Sequence, residues 1–249
     1  FTINGGGNNY LGLFGVLSGS LRNLGLENFT VSGGNFVGGL VGWNSGSINN
    51  CYSKSAVISG IAYIGGLAGR NDFGSISNCH AMSEVKATNK VFEVCVGGLV
   101  GWNSGSINNC YSTGTVDDFW GGNWHVGGLV GLNESGGSIS NCHSNSVVRG
   151  YSNNIGGLIG CIYSGAIITS CYATGAVSGT GSGGVGGLVG ESWGGNYINC
   201  YSTGAVTSSG SSIGGLVGNG WGGSIINCYS TGAVGNSPIR VGGLVGWSR

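Results

Sequence analysis

The sequence predicts an all-β fold: a single parallel β-solenoid (β-helix) spanning residues 1–249, built from about nine stacked coils of 27–32 residues. Three observations predict it: a short motif recurs at a nearly fixed period, each period contains an apolar segment of fixed length, and the Gly content is one that no helical fold tolerates. The motif is Gly-Gly-Leu-Val-Gly or a close variant, with its Leu at Leu40, Leu67, Leu99, Leu129, Leu158, Leu188, Leu216 and Leu244, and Leu13 in LGLFG is a degenerate first copy. Successive Leu residues lie 27, 27, 32, 30, 29, 30, 28 and 28 positions apart. Such units are too short for propeller blades, which need about 40 residues and four strands each. Gly occupies 58 of 249 positions. Each Gly inside a helix costs about 1 kcal/mol relative to Ala, and no 3.6-residue period is visible.

Within each unit, a second block follows the Leu by 11 to 13 residues. It reads Asn-Cys-Tyr-Ser-Thr-Gly-Ala-Val in its commonest form and carries Cys51, Cys79, Cys110, Cys142, Cys171, Cys200 and Cys228. Six residues beyond each Cys stands Val57, Val85, Val116, Val148, Val177, Val206 or Val234. A fixed count between two apolar positions marks regular structure, and variable length elsewhere marks loops, so the segment from Cys to Val is predicted to be a strand. Cys200, Ser202, Gly204 and Val206 fall on one face and Tyr201, Thr203 and Ala205 on the other, the period of two that a strand requires. A unit of short strands cannot bury its own apolar side chains, so copies must stack, each strand pairing in parallel with its copy at about 4.8 Å. Eight such steps give a rod of about 40 Å. Three short strands per coil would enclose a narrow core suited to Gly, Ser, Cys and Val. The Asn before Cys, at Asn50, Asn78, Asn109, Asn141, Asn199 and Asn227 with Ser170 as the exception, sits where the chain must turn, and stacked Asn side chains can form hydrogen-bonded ladders.

Composition narrows the function. Eight basic and eight acidic side chains give a net charge of zero. No basic excess exists to neutralise phosphates or hold anionic lipids, so neither nucleic acid nor a polybasic membrane contact is expected. No apolar run approaches the ~18 residues of a membrane-spanning helix. A chain that is 40% hydrophobic without net charge should fold.

The alternation of GGLVGWNSGSINNCYSTG with short Gly/Ser spacers resembles the GLUG motif repeats, named for their Gly-Leu-hydrophobic-Gly core. The first coil, YLGLFGVLSGSLRNLGLENFTVSGGNFVGGLVG, looks like the opening of such arrays, and the resemblance covers essentially the whole chain. It implies a place in a large secreted or cell-surface protein, often adhesin or haemagglutinin-like, or in the non-catalytic part of an immunoglobulin A peptidase. It brings no catalytic residues. Arg70, where the third copy should have an aromatic, and Met82 and Glu84, in place of Thr and Ala, depart from the pattern.

The two ends read as open coils. Ile3 stands ten residues before Leu13, as Val57 stands ten before Leu67, and no Asn-Cys block follows the final Gly-Gly-Leu-Val-Gly-Trp before Arg249. Open coils present pairable strands, so the expected partners are further coils of the same chain or end-to-end copies of it.

Among candidate sites, the seven repeated Cys would stack about 4.8 Å apart with parallel Cβ vectors, against the ~3.8 Å Cβ separation of a disulfide. Buried free thiols are expected. Cys95 and Cys161 lie off the ladder, two coils apart, and are not expected to pair. His80 and His143 replace the outer Tyr, and with His125 they make no ligand cluster, so no metal or cofactor is expected. Gly181-Ser182-Gly183-Gly184 lacks the helix and Lys-Ser/Thr of a phosphate loop. No catalytic constellation recurs, and no enzyme is expected. Two features remain as binding candidates: the outward row Tyr52, His80, Tyr111, His143, Tyr172, Tyr201 and Tyr229, and the insertion Asp117-Asp118-Phe119-Trp120-Gly121-Gly122-Asn123-Trp124-His125. The expected function is a structural or adhesive segment of an extracellular or cell-surface protein or fibre, with a glycan or a host or cell-surface protein as candidate target. The alternatives are the spacer of a secreted peptidase and an ice-binding solenoid. The latter wants small hydroxyls in both outward columns, whereas Tyr and His fill one and Lys54, Met82 and Asn145 interrupt the other.

Overall fold

The computed structural model describes residues 1–88, 93–118, 125–151, 153–163, 165–236 and 239–249, and among these the chain is a parallel β-solenoid without helix. Each strand pairs with its copy in the neighbouring coil, and four sheets run side by side along the rod. In the order the chain visits them, the first sheet has nine strands, from Phe14–Leu17 through Val41–Asn44 to Val245–Ser248. The second has eight, from Ser20–Arg22 to Ser224–Ile226. The third, which carries the Tyr row, runs from Thr2–Asn4 to Tyr229–Ser230, and the fourth runs from Asn35–Gly38 to Arg240–Gly242. The rod thus completes about eight turns.

Four sheets per coil replace the three strands expected. The difference arises at two corners: the Gly-Gly-Leu bend separates the fourth sheet from the first, and the residue before Cys separates the second from the third. At that second corner Asn50, Asn78, Asn109, Asn141, Asn199 and Asn227 have φ of 52 to 55°, and Ser170 has 54°. This left-handed conformation is one that Asn adopts more readily than most residues. A four-sided coil encloses more volume, so Leu and Ile line it alongside the smaller residues. Leu40, Leu67, Leu99, Leu129, Leu158, Leu188 and Leu216 form one fully buried column, and Ile48, Ile76, Ile107, Ile139 and Ile168 another.

The segment after Cys is a continuous strand in only three coils, Tyr52–Gly60, His80–Ala87 and Tyr111–Asp118. In the later coils it splits at Ser146, Gly175, Gly204 and Gly232. There the backbone bends so close to the previous coil that a Cβ on Gly204 would overlap the Gly175 carbonyl oxygen. Alternation nevertheless holds, with Cys200, Ser202, Gly204 and Val206 buried and Thr203 and Ala205 exposed. The Val column also needs one correction. Ser55 is an inserted residue at φ 51°, and the register shifts there, so Ile58 pairs with Val85 while Val57 pairs with Glu84 on the outer face. Such a bulge moves every later side chain by one position. Thr2–Asn4 pairs with Thr30–Ser32 as the end of an open coil, but Ile3 falls in register with Val31 and Ile58 and not with Val57.

A polar column crosses this core. Asn44, Asn71, Asn103 and Asn133 are fully buried; each of the first three amide nitrogens donates to the next amide oxygen at 2.7 Å, and that of Asn133 donates to the Gly137 carbonyl at 3.0 Å.

Candidate functional site

The outward row is a continuous stack. Ring centroids from Tyr52 through His80, Tyr111, His143, Tyr172 and Tyr201 to Tyr229 are 4.7 to 5.0 Å apart, with planes within 6° of parallel. Register dictates this arrangement, because each ring occupies one position of a parallel ladder. The two imidazoles fit as flat substitutes, and burial in the stack lowers their proton affinity, with Lys54 adding to the effect at His80.

The Cys ladder is as regular. The backbone N–H groups of Cys51, Cys79, Cys110 and Cys142 each donate to the sulfur of the next Cys at 3.4 Å. Thiols donate in turn to the carbonyl two residues earlier, as Cys142 does to Ser140 at 3.0 Å. All nine cysteines are free, and only Cys228 is not buried. Burial pushes the Cys95 and Cys161 thiols well above their ordinary range. A thiol reagent should therefore find few reactive groups in the native protein and nearly all nine after unfolding without reductant. Fewer than about three after unfolding would mean that the ladder is oxidised.

Arg70 proves compatible with the aromatic column it interrupts. Its guanidinium carbon lies 4.5 Å from the Trp43 ring centroid and 3.8 Å from that of Trp102, a cation held between two π faces. Asp72 receives the same guanidinium at 3.1 Å.

Of the insertion, Phe119, Trp120 and Trp124 lie outside the described residues. Asp117 and Asp118 close the strand Tyr111–Asp118 and are both buried. Asp117 lies 3.6 Å from the Arg149 guanidinium, while burial raises its proton affinity. His125 begins the next strand, His125–Gly127, and points to a different place.

That place is an open groove of about 660 Å³ where the fourth and first sheets meet, lined among others by Glu93, His125, Asn154, Tyr163, Glu191 and Trp193. Cys95, His125 and Asn154 stand in register in the fourth sheet, and Cys161, Glu191 and Asn219 in the first. The amide nitrogen of Asn154 lies 3.2 Å from His125 Nδ1, so Nδ1 accepts and the ring proton sits on Nε2. Burial lowers the His125 pKa to about 4, which keeps the imidazole neutral at pH 7. Tyr163 meets this ring edge-on at 6.3 Å. Apart from His125, the groove went unread in the sequence. Its signal was the third position after each Leu, where Trp43, Arg70 and Trp102 give way to Leu132, Cys161, Glu191 and Asn219.

Comparison with known proteins bears on this geometry. The sequence profile of the GLUG motif matches residues 60–91, 93–117, 122–148, 151–178 and 209–235, more than half of the chain. No curated protein sequence matches. Among solved structures, the chain is similar to a candidate immunoglobulin A1 protease from Bacteroides ovatus, with a TM-score of 0.60 and 21% identity over 97% of this chain and 79% of that one. At that identity the likeness shows the fold alone.

Proposed function

We propose that this chain, which belongs to the GLUG motif family, is a non-catalytic structural and adhesive segment of a secreted or cell-surface protein. The observation that carries the reading is how the reactive side chains are used. Each ladder thiol, stacked imidazole and core amide is held by its own copy one coil away. The inward hydroxyls of Ser53, Ser112 and Ser202 donate to the corner carbonyls of Gly66, Gly128 and Gly215, Ser112 at 2.6 Å. Side chains locked by repetition stiffen a rod, whereas a nucleophile needs an adjacent base and room for a substrate. The fold likeness to a protein named as a candidate protease favours a second reading, a rod-like spacer beside a peptidase domain.

Two assays test the proposal. Purified chain incubated with immunoglobulin A and casein should release no fragments. Beads coated with the chain should attach to epithelial cells more than albumin-coated beads do. Cleavage that disappears on substitution within this chain would overturn the non-catalytic part. Attachment equal to the albumin control would overturn the adhesive part and leave the spacer.

A further inference from the structure

We infer that the groove between the fourth and first sheets, lined by Glu93, His125, Asn154, Tyr163, Glu191 and Trp193, binds a neutral oligosaccharide. The lining, the charge and the size of the site carry the inference.

The groove lies where the repeat breaks its own rule. The first-sheet column that holds Trp43, Arg70 and Trp102 in earlier coils supplies Glu191 and Asn219 here, and the fourth-sheet column supplies His125 and Asn154, so one cleft draws polar groups from several successive coils. One of those amides is unfinished. Asn154 is 5% exposed, and its carbonyl oxygen has no hydrogen-bond partner among the described residues. A buried acceptor without a donor is costly, and a ligand hydroxyl reached by a small shift of the side chain would supply one.

The aromatic residues are placed for a sugar ring. Trp193 is 41% exposed and stacks on Trp221 at 4.8 Å through one face. The residue in register with it one coil earlier is Tyr163, following the pairing of Ile162 with Ser192, and Tyr163 lines the same groove. A pyranose presents a face of C–H groups that packs on such rings, while its hydroxyls project at the edges as donors and acceptors. Carboxylates accept only, amides do both, and the Nε2 proton of His125 adds a donor.

Charge selects among sugars. Among the described residues, Glu93 and Glu191 line the groove and no Lys or Arg does, so an anionic glycan would meet repulsion there. Its volume falls within the ~300–1,000 Å³ range of small-ligand pockets. Among the described residues, no group of three or more His, Cys, Asp or Glu is arranged to hold a metal ion, which removes a cation as the simplest occupant.

The inference rests on the adhesive reading for its biological role, but binding is measured on the isolated chain. The test uses titration calorimetry with maltohexaose, cellohexaose and chitohexaose, a heparin hexasaccharide as anionic probe and a decalysine peptide as cationic probe. At least one neutral hexasaccharide should bind with Kd below about 1 mM. Trp193→Ala should weaken it about tenfold or more, and the isosteric Glu191→Gln about fivefold, with melting midpoints unchanged. Phe73→Asn should leave binding intact, because Phe73 is an exposed aromatic outside the groove at φ 54°, a conformation that Asn accepts. The inference is overturned if no neutral probe binds, if binding survives both groove substitutions, or if heparin or decalysine binds more tightly than any neutral sugar. Bead attachment separates the two readings. Attachment that persists in Trp193→Ala leaves the adhesive reading standing while the groove loses its role in it. Sugar binding without attachment does the reverse.

Discussion

Gly98→Ala is expected to destabilise the solenoid by at least about 3 kcal/mol, read as a lower denaturation midpoint or as loss of soluble folded protein. The reason is steric and local. A Cβ on Gly98 would overlap the carbonyl oxygen of Gly128 in the next coil and lie 3.0 Å from the Cβ of Ser112. Neither can yield cheaply. The Gly128 carbonyl also accepts the Ser112 hydroxyl, and the adjoining Leu99 N–H donates to Leu129 at 2.9 Å, a bond that sets the coil spacing. Room for a methyl group therefore requires moving two coils apart. The same overlap recurs at Gly66, Gly128, Gly157, Gly187 and Gly215, so the motif keeps Gly there for close approach rather than for a left-handed turn. Gly19→Ala is the control, because nothing lies within 4 Å of a Cβ at that position and its φ is not in the left-handed range. That substitution should be neutral or stabilise by up to about 1 kcal/mol, since Ala loses less chain entropy on folding. Equal losses at the two sites would show that close packing of coils is not what the motif secures.

What the sequence made legible follows from the same repetition. Every copy of Leu, Cys and the preceding Asn meets the same environment, so a column of identical letters reads as a column of identical contacts. The Leu column, the Cys ladder, the Tyr/His stack and the Asn turn were recoverable on that basis. Features set by geometry between columns were not. The number of sides of a coil depends on how sharply two corners bend, which spacing does not encode. The bulge at Ser55 stays hidden because the 27-residue period is preserved while the register behind it shifts. Arg70 reads as a defect in the string, and only the positions of Trp43 and Trp102 on either side show it to be a replacement with its own attraction. The groove is hidden for a related reason. Its residues come from different coils and two different sheets, so no window of sequence contains them together.

The buried amide column leads to the last expected result, a coupling and not a simple loss. Asn103→Ile should cost about 2–5 kcal/mol in denaturant unfolding, because it strands two partners at once. The Asn71 amide nitrogen loses its acceptor at 2.7 Å, and the Asn133 amide oxygen loses its donor at 2.7 Å. The backbone N–H of Gly105 loses the Asn103 oxygen as well. Size is not the issue. Leu17 pairs with Asn44 before the column and Ile162 with Asn133 after it, with Ile162 fully buried, so the same position accepts a large apolar side chain in other coils. Asn71→Ile should cost a similar amount, since it strands the Asn44 nitrogen and the Asn103 oxygen. The double substitution removes the shared bond together with both of its ends, and only the Asn44 nitrogen and the Asn133 oxygen are left without the neighbouring amide. Its cost should therefore fall short of the sum of the singles by about 1–3 kcal/mol. Additivity within about 0.5 kcal/mol would mean that the four amides act independently, each held by its own corner carbonyl, and that the column contributes no cooperativity along the rod.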